Sequence, residues 1–257
     1  MKITASAGTH RGRVRSNNED NFYINGVYKK HTDDDSYYFT DEKPHFAYTY
    51  AVCDGVGGTE FGELASLYAV EGLKSFDGRK LDEKISDYIE SVNRRICDII
   101  SNNDGRQMGS TIALLYVKGK DATICNIGDS RVYLLRDREL TQLSHDHTRR
   151  QSMIDYGLIK KETEKVLVRD HVLTQFLGVF PDEFRLDPYI VKVRLKTNDM
   201  ILLCSDGLTD MVSEEEIRKI LMNISAGSAE EKVNDLICAA VNSGGRDNVT
   251  AIVVIAK

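Results

Sequence analysis

The sequence predicts an α+β fold of antiparallel sheets with helices packed outside them. Strand-like segments come in consecutive runs rather than in strict βαβ alternation. Stretches with helical apolar spacing fall between the blocks of strands. The chain has 257 residues, 41% hydrophobic and 29% charged, with three prolines, no internal repeat and no linker-like composition. One domain over 1–257 is therefore expected, large enough to bury a core without disulfide staples.

The elements follow in order. Phe46–Cys53 (FAYTYAVC) is apolar and aromatic and stops at Asp54-Gly55. Phe61–Phe76 is rich in Leu, Ala and Glu. In Asp82–Ser101, Ile85, Ile89, Val92, Ile96 and Ile99 or Ile100 share one helical face. Thr111–Val117 and Ala122–Ile127 flank a hairpin turn at Lys118–Asp121. Arg131–Leu135 and Leu140–Leu143 flank a charged turn, Arg136–Glu139. Met200–Cys204 stops at Ser205-Asp206-Gly207. Ser213 with Glu216 predicts a capping box ahead of the Ile217, Ile220, Leu221, Ile224 stripe. Ser228 with Glu231 repeats the signal ahead of Val233, Leu236, Ile237, Ala240 and Val241. Val249–Ala256 is the last strand. Tyr28–His45, with Asp33-Asp34-Asp35, reads as a solvated loop, since it lacks the alternating ligands and turn glycine of a calcium loop.

Composition excludes several classes. There are 34 Lys+Arg against 40 Asp+Glu, a net charge of -6, and no basic stripe, which argues against nucleic acid. No apolar run approaches the ~20 residues of a membrane helix, and MKITASAGTHRGRVRSNNED has no apolar signal core. The five cysteines are scattered without a CxxC pair, as expected of a reducing cytoplasm.

The chemistry lies in the carboxylates. Asp54, Asp206 and Asp247 each fall at a strand tip, Asp129 follows another strand, and Glu19-Asp20 lead into Phe22-Tyr23-Ile24. Taken singly, Asp-Gly is an ordinary turn and Asp-Asn an ordinary strand entry. Strand ends on one edge converge, however, and carboxylates gathered there need raised pKa values or cations. Oxygen-only donors suit Mg²⁺ or Mn²⁺.

The ordered segments RVRSNNEDNF (Arg13–Phe22), VCDGVGG (Val52–Gly58), GSTIALLYV (Gly109–Val117), IGDSRVYLLRDRELTQLSHDHT (Ile127–Thr148), VLTQFLG (Val172–Gly178), MILLCSDGLTD (Met200–Asp210) and GGRDNVTAIVV (Gly244–Val254) span nearly the whole chain. In them the sequence resembles the metal-dependent serine/threonine protein phosphatases of the type-2C (PPM) family. The resemblance implies a central β-sandwich of two antiparallel sheets flanked by helices on both sides. It implies two to three Mn²⁺ or Mg²⁺ ions at one end of the sandwich. Asp54 would bridge two of them, Asp206 and Asp247 would complete one site, and Glu19 with the Gly55 carbonyl would serve the other. Asp20 would hold metal-bound water, and Asp129 with Asp206 a third, weaker ion. Arg15 matches the phosphate-binding arginine, whose fork suits phosphate oxygens.

The implied reaction is hydrolysis of phosphoserine or phosphothreonine in proteins by a metal-bridging hydroxide. It would reverse a Ser/Thr kinase in a signalling circuit, in a cytoplasmic monomer. One departure is Val56, where many eukaryotic members carry a histidine proposed to protonate the leaving group. Bacterial relatives often have an apolar residue there, so the resemblance is to the bacterial type. Residues 149–188, with Tyr156-Gly157, match the family's variable flap and are expected to touch substrate protein.

Rival readings are weaker. Cys125 and Arg131 have the Cys-x5-Arg spacing of cysteine phosphatases, but Cys125 lies mid-strand in ATICNI and Asp129 would repel a phosphate dianion. GRQMGST (Gly105–Thr111) lacks the lysine and following helix of a nucleotide phosphate loop. GxSxG is absent. His145-Asp146-His147 is read as capping the turn before a helix starting near Arg149. A catalytically silent phosphoprotein-binding scaffold of the same fold is the alternative, and retention of Glu19, Asp20, Asp54, Asp129, Asp206 and Asp247 speaks against it.

Overall fold

Two six-stranded antiparallel sheets face each other in the computed structural model, which describes residues 1–56, 61–75, 81–103, 107–160, 172–223, 225 and 227–257. The strands are β1 (Ile3–His10), β2 (Asn21–Ile24), β3 (Val27–Tyr28), β4 (Ser36–Asp41), β5 (Ala47–Cys53), β6 (Gly55–Val56), β7 (Gly109–Ser110), β8 (Ile112–Lys118), β9 (Asp121–Ile127), β10 (Arg131–Arg136), β11 (Glu139–Gln142), β12 (Tyr189–Arg194), β13 (Met200–Cys204) and β14 (Val249–Ala256). The helices are α1 (Gly62–Gly72), α2 (Leu81–Asn102), α3 (Arg149–Asp155), α4 (Asp206–Thr209), α5 (Glu214–Met222) and α6 (Ala229–Asn242). One sheet runs β11-β10-β13-β14-β1-β4, the other β12-β9-β8-β5-β2-β3, and β6 pairs β7 separately. The expected sandwich flanked by helices is the observed fold.

Strand alternation sorts the apolar side chains into layers. Val52, Leu115, Ile124, Leu203, Ile252 and Val254 point between the sheets. Their alternate neighbours Ala51, Leu114 and Cys125 pack outward beneath α1 and α2. Leu202, Val253 and Ile255 pack outward beneath α5 and α6. On α2 the predicted stripe is buried, with Ile100 rather than Ile99 completing it. On α6, Val233, Leu236 and Ile237 are buried. Each such side chain contributes about 1.5–3 kcal/mol relative to exposure.

Several expectations need correction. The stretch Tyr28–His45 is not all loop, because β4 pairs with β1 from His10↔Ser36 to Ala5↔Asp41. Tyr37 and Phe39 pack against the inter-sheet core while Tyr38 is exposed, and the Tyr37 ring stacks on Phe22 at 5.6 Å. Strand β1 went unpredicted because ITASAGTH has one large apolar residue; its smallness has a use. A Cβ on Gly8 would meet the Tyr38 ring at 2.5 Å and Ile237 Cδ1 at 2.7 Å, so glycine lets β4 and α6 close on the strand. Edge strand β12 was also unpredicted. The helix expected over Phe61–Phe76 is α1 followed by a 3-10 turn, Leu73–Ser75, and Phe76 lies outside the described residues. Ser213 caps α5 by accepting from the Glu216 N–H at 3.2 Å, one arm of the predicted box. At α6 both arms are present between Ser228 and Glu231. Gly57, Gly58, Gly105, Arg106, Ile224 and flap residues 161–171 lie outside the described residues. No described helix is long and apolar enough to cross a membrane.

Candidate metal centre

Loops at one end of the sandwich bring the predicted carboxylates together. Asp20 precedes β2, Asp54 follows β5, Asp129 follows β9, Asp206 opens α4 just past β13, and Asp247 precedes β14. Asp54 is fixed by its backbone: its N–H donates to Thr111 Oγ1 at 3.0 Å, and its carbonyl accepts from the Thr111 N–H at 2.9 Å. Thr111 Oγ1 also pairs with Ser130 Oγ at 2.7 Å, beside Asp129. Gly128 turns the chain there with φ +95°, and a Cβ on it would meet Thr111 Cγ2 at 2.6 Å.

Asp20 is fully buried. Its Oδ2 accepts from Ser205 Oγ and Thr250 Oγ1, each at 2.7 Å, while Oδ1 is buried without a hydrogen-bond partner. Burial pushes its carboxyl up to about 7, against those two hydrogen bonds and reinforced by Asp206 and Asp247. Burial likewise raises Asp54 well above the carboxylate range, with Asp20, Asp206, Asp129 and Asp247 adding repulsion. Asp129 is raised by burial, Asp206 and Asp146, against the nearby Arg131 charge. Glu19 is raised by burial and Glu63, with Asn17 and Arg15 opposing.

Glu19 and Gly55 converge over Gly62. A Cβ there would lie 2.8 Å from Glu19 Oε2 and 3.0 Å from the Gly55 carbonyl oxygen. Gly55 is held in β6 against Ser110. Arg15 is exposed and donates from Nη2 to Asp247 Oδ2 at 2.6 Å. Burial works against its charge, and Asp247, Glu19 and Asp54 outweigh that to raise its pKa.

These residues fit divalent cations by donor chemistry. The set is all oxygen, its members repel one another, one buried carboxylate oxygen lacks a partner, and two oxygens converge where glycine alone leaves room. Among the described residues, no group of three His, Cys, Asp or Glu side chains is arranged to hold an ion as it stands. Asp20 Oδ2 and Asp247 Oδ2 are turned to neighbours on the chain itself.

The rival motifs resolve physically. Cys125 is fully buried in β9, and burial pushes its thiol up to about 12, so it is no thiolate nucleophile. Arg131 grips both Asp146 oxygens. Thr148 caps α3 through the Gln151 N–H, and His147 Nδ1 accepts from the Gly128 N–H at 3.1 Å.

Comparison with known proteins decides the family. Residues 27–240 match the family described as protein phosphatase 2C. The chain belongs to the protein phosphatase 2C family. A serine/threonine phosphatase, stp, of Listeria welshimeri is 34% identical over 96% of this chain and 93% of its own. PstP of Mycobacterium tuberculosis is 32% identical over 98% of this chain and 45% of its own length. The crystal structure of M. tuberculosis PstP/Ppp superposes with a TM-score of 0.82 at 29% identity, covering all of both chains. The PstP catalytic domain in complex with two manganese ions gives 0.77 at 29% identity over 98% of each chain. This protein phosphatase 2C member is thus a metal-dependent phosphatase of the bacterial type, as the sequence segments implied.

Sequence reasoning missed the frame around the carboxylates: Thr111, Ser205, Thr250 and Asn248. Each is a small polar residue whose role depends on partners far along the chain. The only local signal is that each lies within a segment already noted for its neighbours.

Proposed function

We propose that this phosphatase hydrolyses phosphoserine and phosphothreonine in proteins, opposing a Ser/Thr kinase. Asp54, Asp206 and Asp247, with Glu19 and the Gly55 carbonyl, would hold two divalent cations, and Asp129 with Asp206 a third. When bound, such ions supply Lewis acidity toward phosphoryl oxygens and acidify water for in-line attack. Asp20, whose buried Oδ1 makes no hydrogen bond, would orient water. Arg15 would leave Asp247 to grip the phosphate dianion with its fork. Val56 has no proton to give, so a group other than this side chain would protonate the leaving alkoxide. The exposed Tyr156 and Leu158 of the flap would touch the protein part of the substrate.

The observation that carries this reading is the gathering of mutually repelling carboxylates around a buried Asp20 oxygen without a partner. The test is turnover of p-nitrophenyl phosphate and a phosphothreonine peptide with Mn²⁺ or with EDTA. Turnover is expected only with metal, and Asp54→Asn should lose about a hundredfold or more, as for removal of a main electrostatic contributor. Undiminished turnover in EDTA would overturn the reading.

A further inference from the structure

The Asn248 side chain joins segments of chain that the site needs in one place. Its Oδ1 accepts from the Glu19 N–H at 2.8 Å. Its Nδ2 donates to the Arg11 carbonyl and to the Asn17 carbonyl, both at 2.8 Å. Its own backbone N–H donates to Asp247 Oδ1 at 2.8 Å. The residue is buried, 4% exposed, so no solvent competes for these bonds. A carboxamide offers two N–H donors and one acceptor oxygen. Here all are spent on backbone groups of one loop.

That loop carries Arg15 at its middle and Glu19 at its end. Arg11, Asn17 and Glu19 bracket it, and a single side chain fixes all three. Gly12 at φ +82° rests on the Asp247 carbonyl, and the Arg13 N–H donates to the Gly245 carbonyl at 2.7 Å. Arg15 itself is exposed, and the hydrogen bond it makes is to Asp247. Its placement comes from that bond and from the backbone beneath it.

We infer that Asn248 is a positioning residue that sets Arg15 and Glu19 against Asp247, governing phosphate grip and cation affinity together. This rests on the proposed phosphatase site. Aspartate is nearly the same shape but would turn one acceptor oxygen toward the Arg11 and Asn17 carbonyls. It also adds negative charge beside the carboxylates, which alone would tighten cation binding. Loss of positioning would loosen it, so the two effects have opposite signs.

The experiment uses the full chain as wild type, Asn248→Asp and Asn248→Ala. Mn²⁺ binding is measured calorimetrically without substrate, and KM and kcat for p-nitrophenyl phosphate at saturating Mn²⁺. Both variants are expected to bind Mn²⁺ about fivefold or more weakly and to raise KM by a similar factor, with kcat changing less. A role in stability alone would lower the melting temperature without moving Mn²⁺ affinity or KM, and that result overturns the inference, as does tighter Mn²⁺ binding by Asn248→Asp. Should the variants fail to fold, the wild-type Glu19 amide decides. Slow hydrogen exchange there supports the bond to Asn248, and exchange at the rate of an open loop overturns it. A wild type that neither binds Mn²⁺ nor turns over sinks the phosphatase reading instead.

Discussion

Asp20 is a carboxyl whose burial is costly to the fold. Its folded pKa, about 7, lies above the ordinary value of 3.8. A carboxyl raised in this way helps the fold fully below about pH 4, and that help disappears as pH rises through about 7. Asparagine would keep an oxygen for Ser205 and Thr250 and place an uncharged amide on the other side. In EDTA, Asp20→Asn should therefore melt higher than wild type at pH 8, with the gap shrinking toward pH 5. The advantage is bounded at about 4 kcal/mol by the pKa difference. A gap that does not change with pH would contradict this. At this scale the carboxylates were legible, because charged residues at strand tips stand out and their segments resemble a family. Thr111, Ser205 and Thr250 were not, because a threonine that caps an aspartate more than fifty residues away leaves no local pattern.

Elements were legible where their periodicity had a large apolar residue to carry it. Strands β8, β9, β13 and β14, and helices α2 and α6, fell close to their expected bounds. Strand β1 failed that condition, since the sheet interior there takes Ala5 and Ala7. Strand β4 failed because three aspartates mask the Tyr37/Phe39 alternation that follows them. Helix ends are more local and can be tested singly. The Ser228 side chain accepts from the Glu231 N–H at 3.1 Å, and Glu231 returns to the Ser228 N–H at 3.0 Å. Ser228→Ala should cost about 1 kcal/mol, read as a fall of about 2–4 °C in melting temperature. Phosphatase activity at 25 °C should not change, because Ser228 caps the N-terminal end of α6, whereas the helix reaches the Arg13 loop from its C-terminal end, at Asn242.

The whole molecule puts repulsion at one end of a well-packed sandwich. Three apolar layers hold the sheets and helices together, while the carboxylate end opposes itself. A cation that binds this end and not the unfolded chain must stabilise the fold. At a hundred times its dissociation constant the gain is about 2.7 kcal/mol. Calorimetric melting should thus rise with Mn²⁺ and return with EDTA, and the rise should shrink in Asp54→Asn. A melting temperature indifferent to Mn²⁺ would count against the centre. Topology adds a consequence of its own. Strand β1 lies beside β14, with Ile3 facing Ala256 and His10 facing Val249. Asp20 and Arg15 are synthesised more than two hundred residues before Thr250, which donates to Asp20, and Asp247, which Arg15 holds. A nascent chain that stops short of Asp247 therefore leaves Asp20 without one of its two hydroxyl donors and Arg15 without its carboxylate partner.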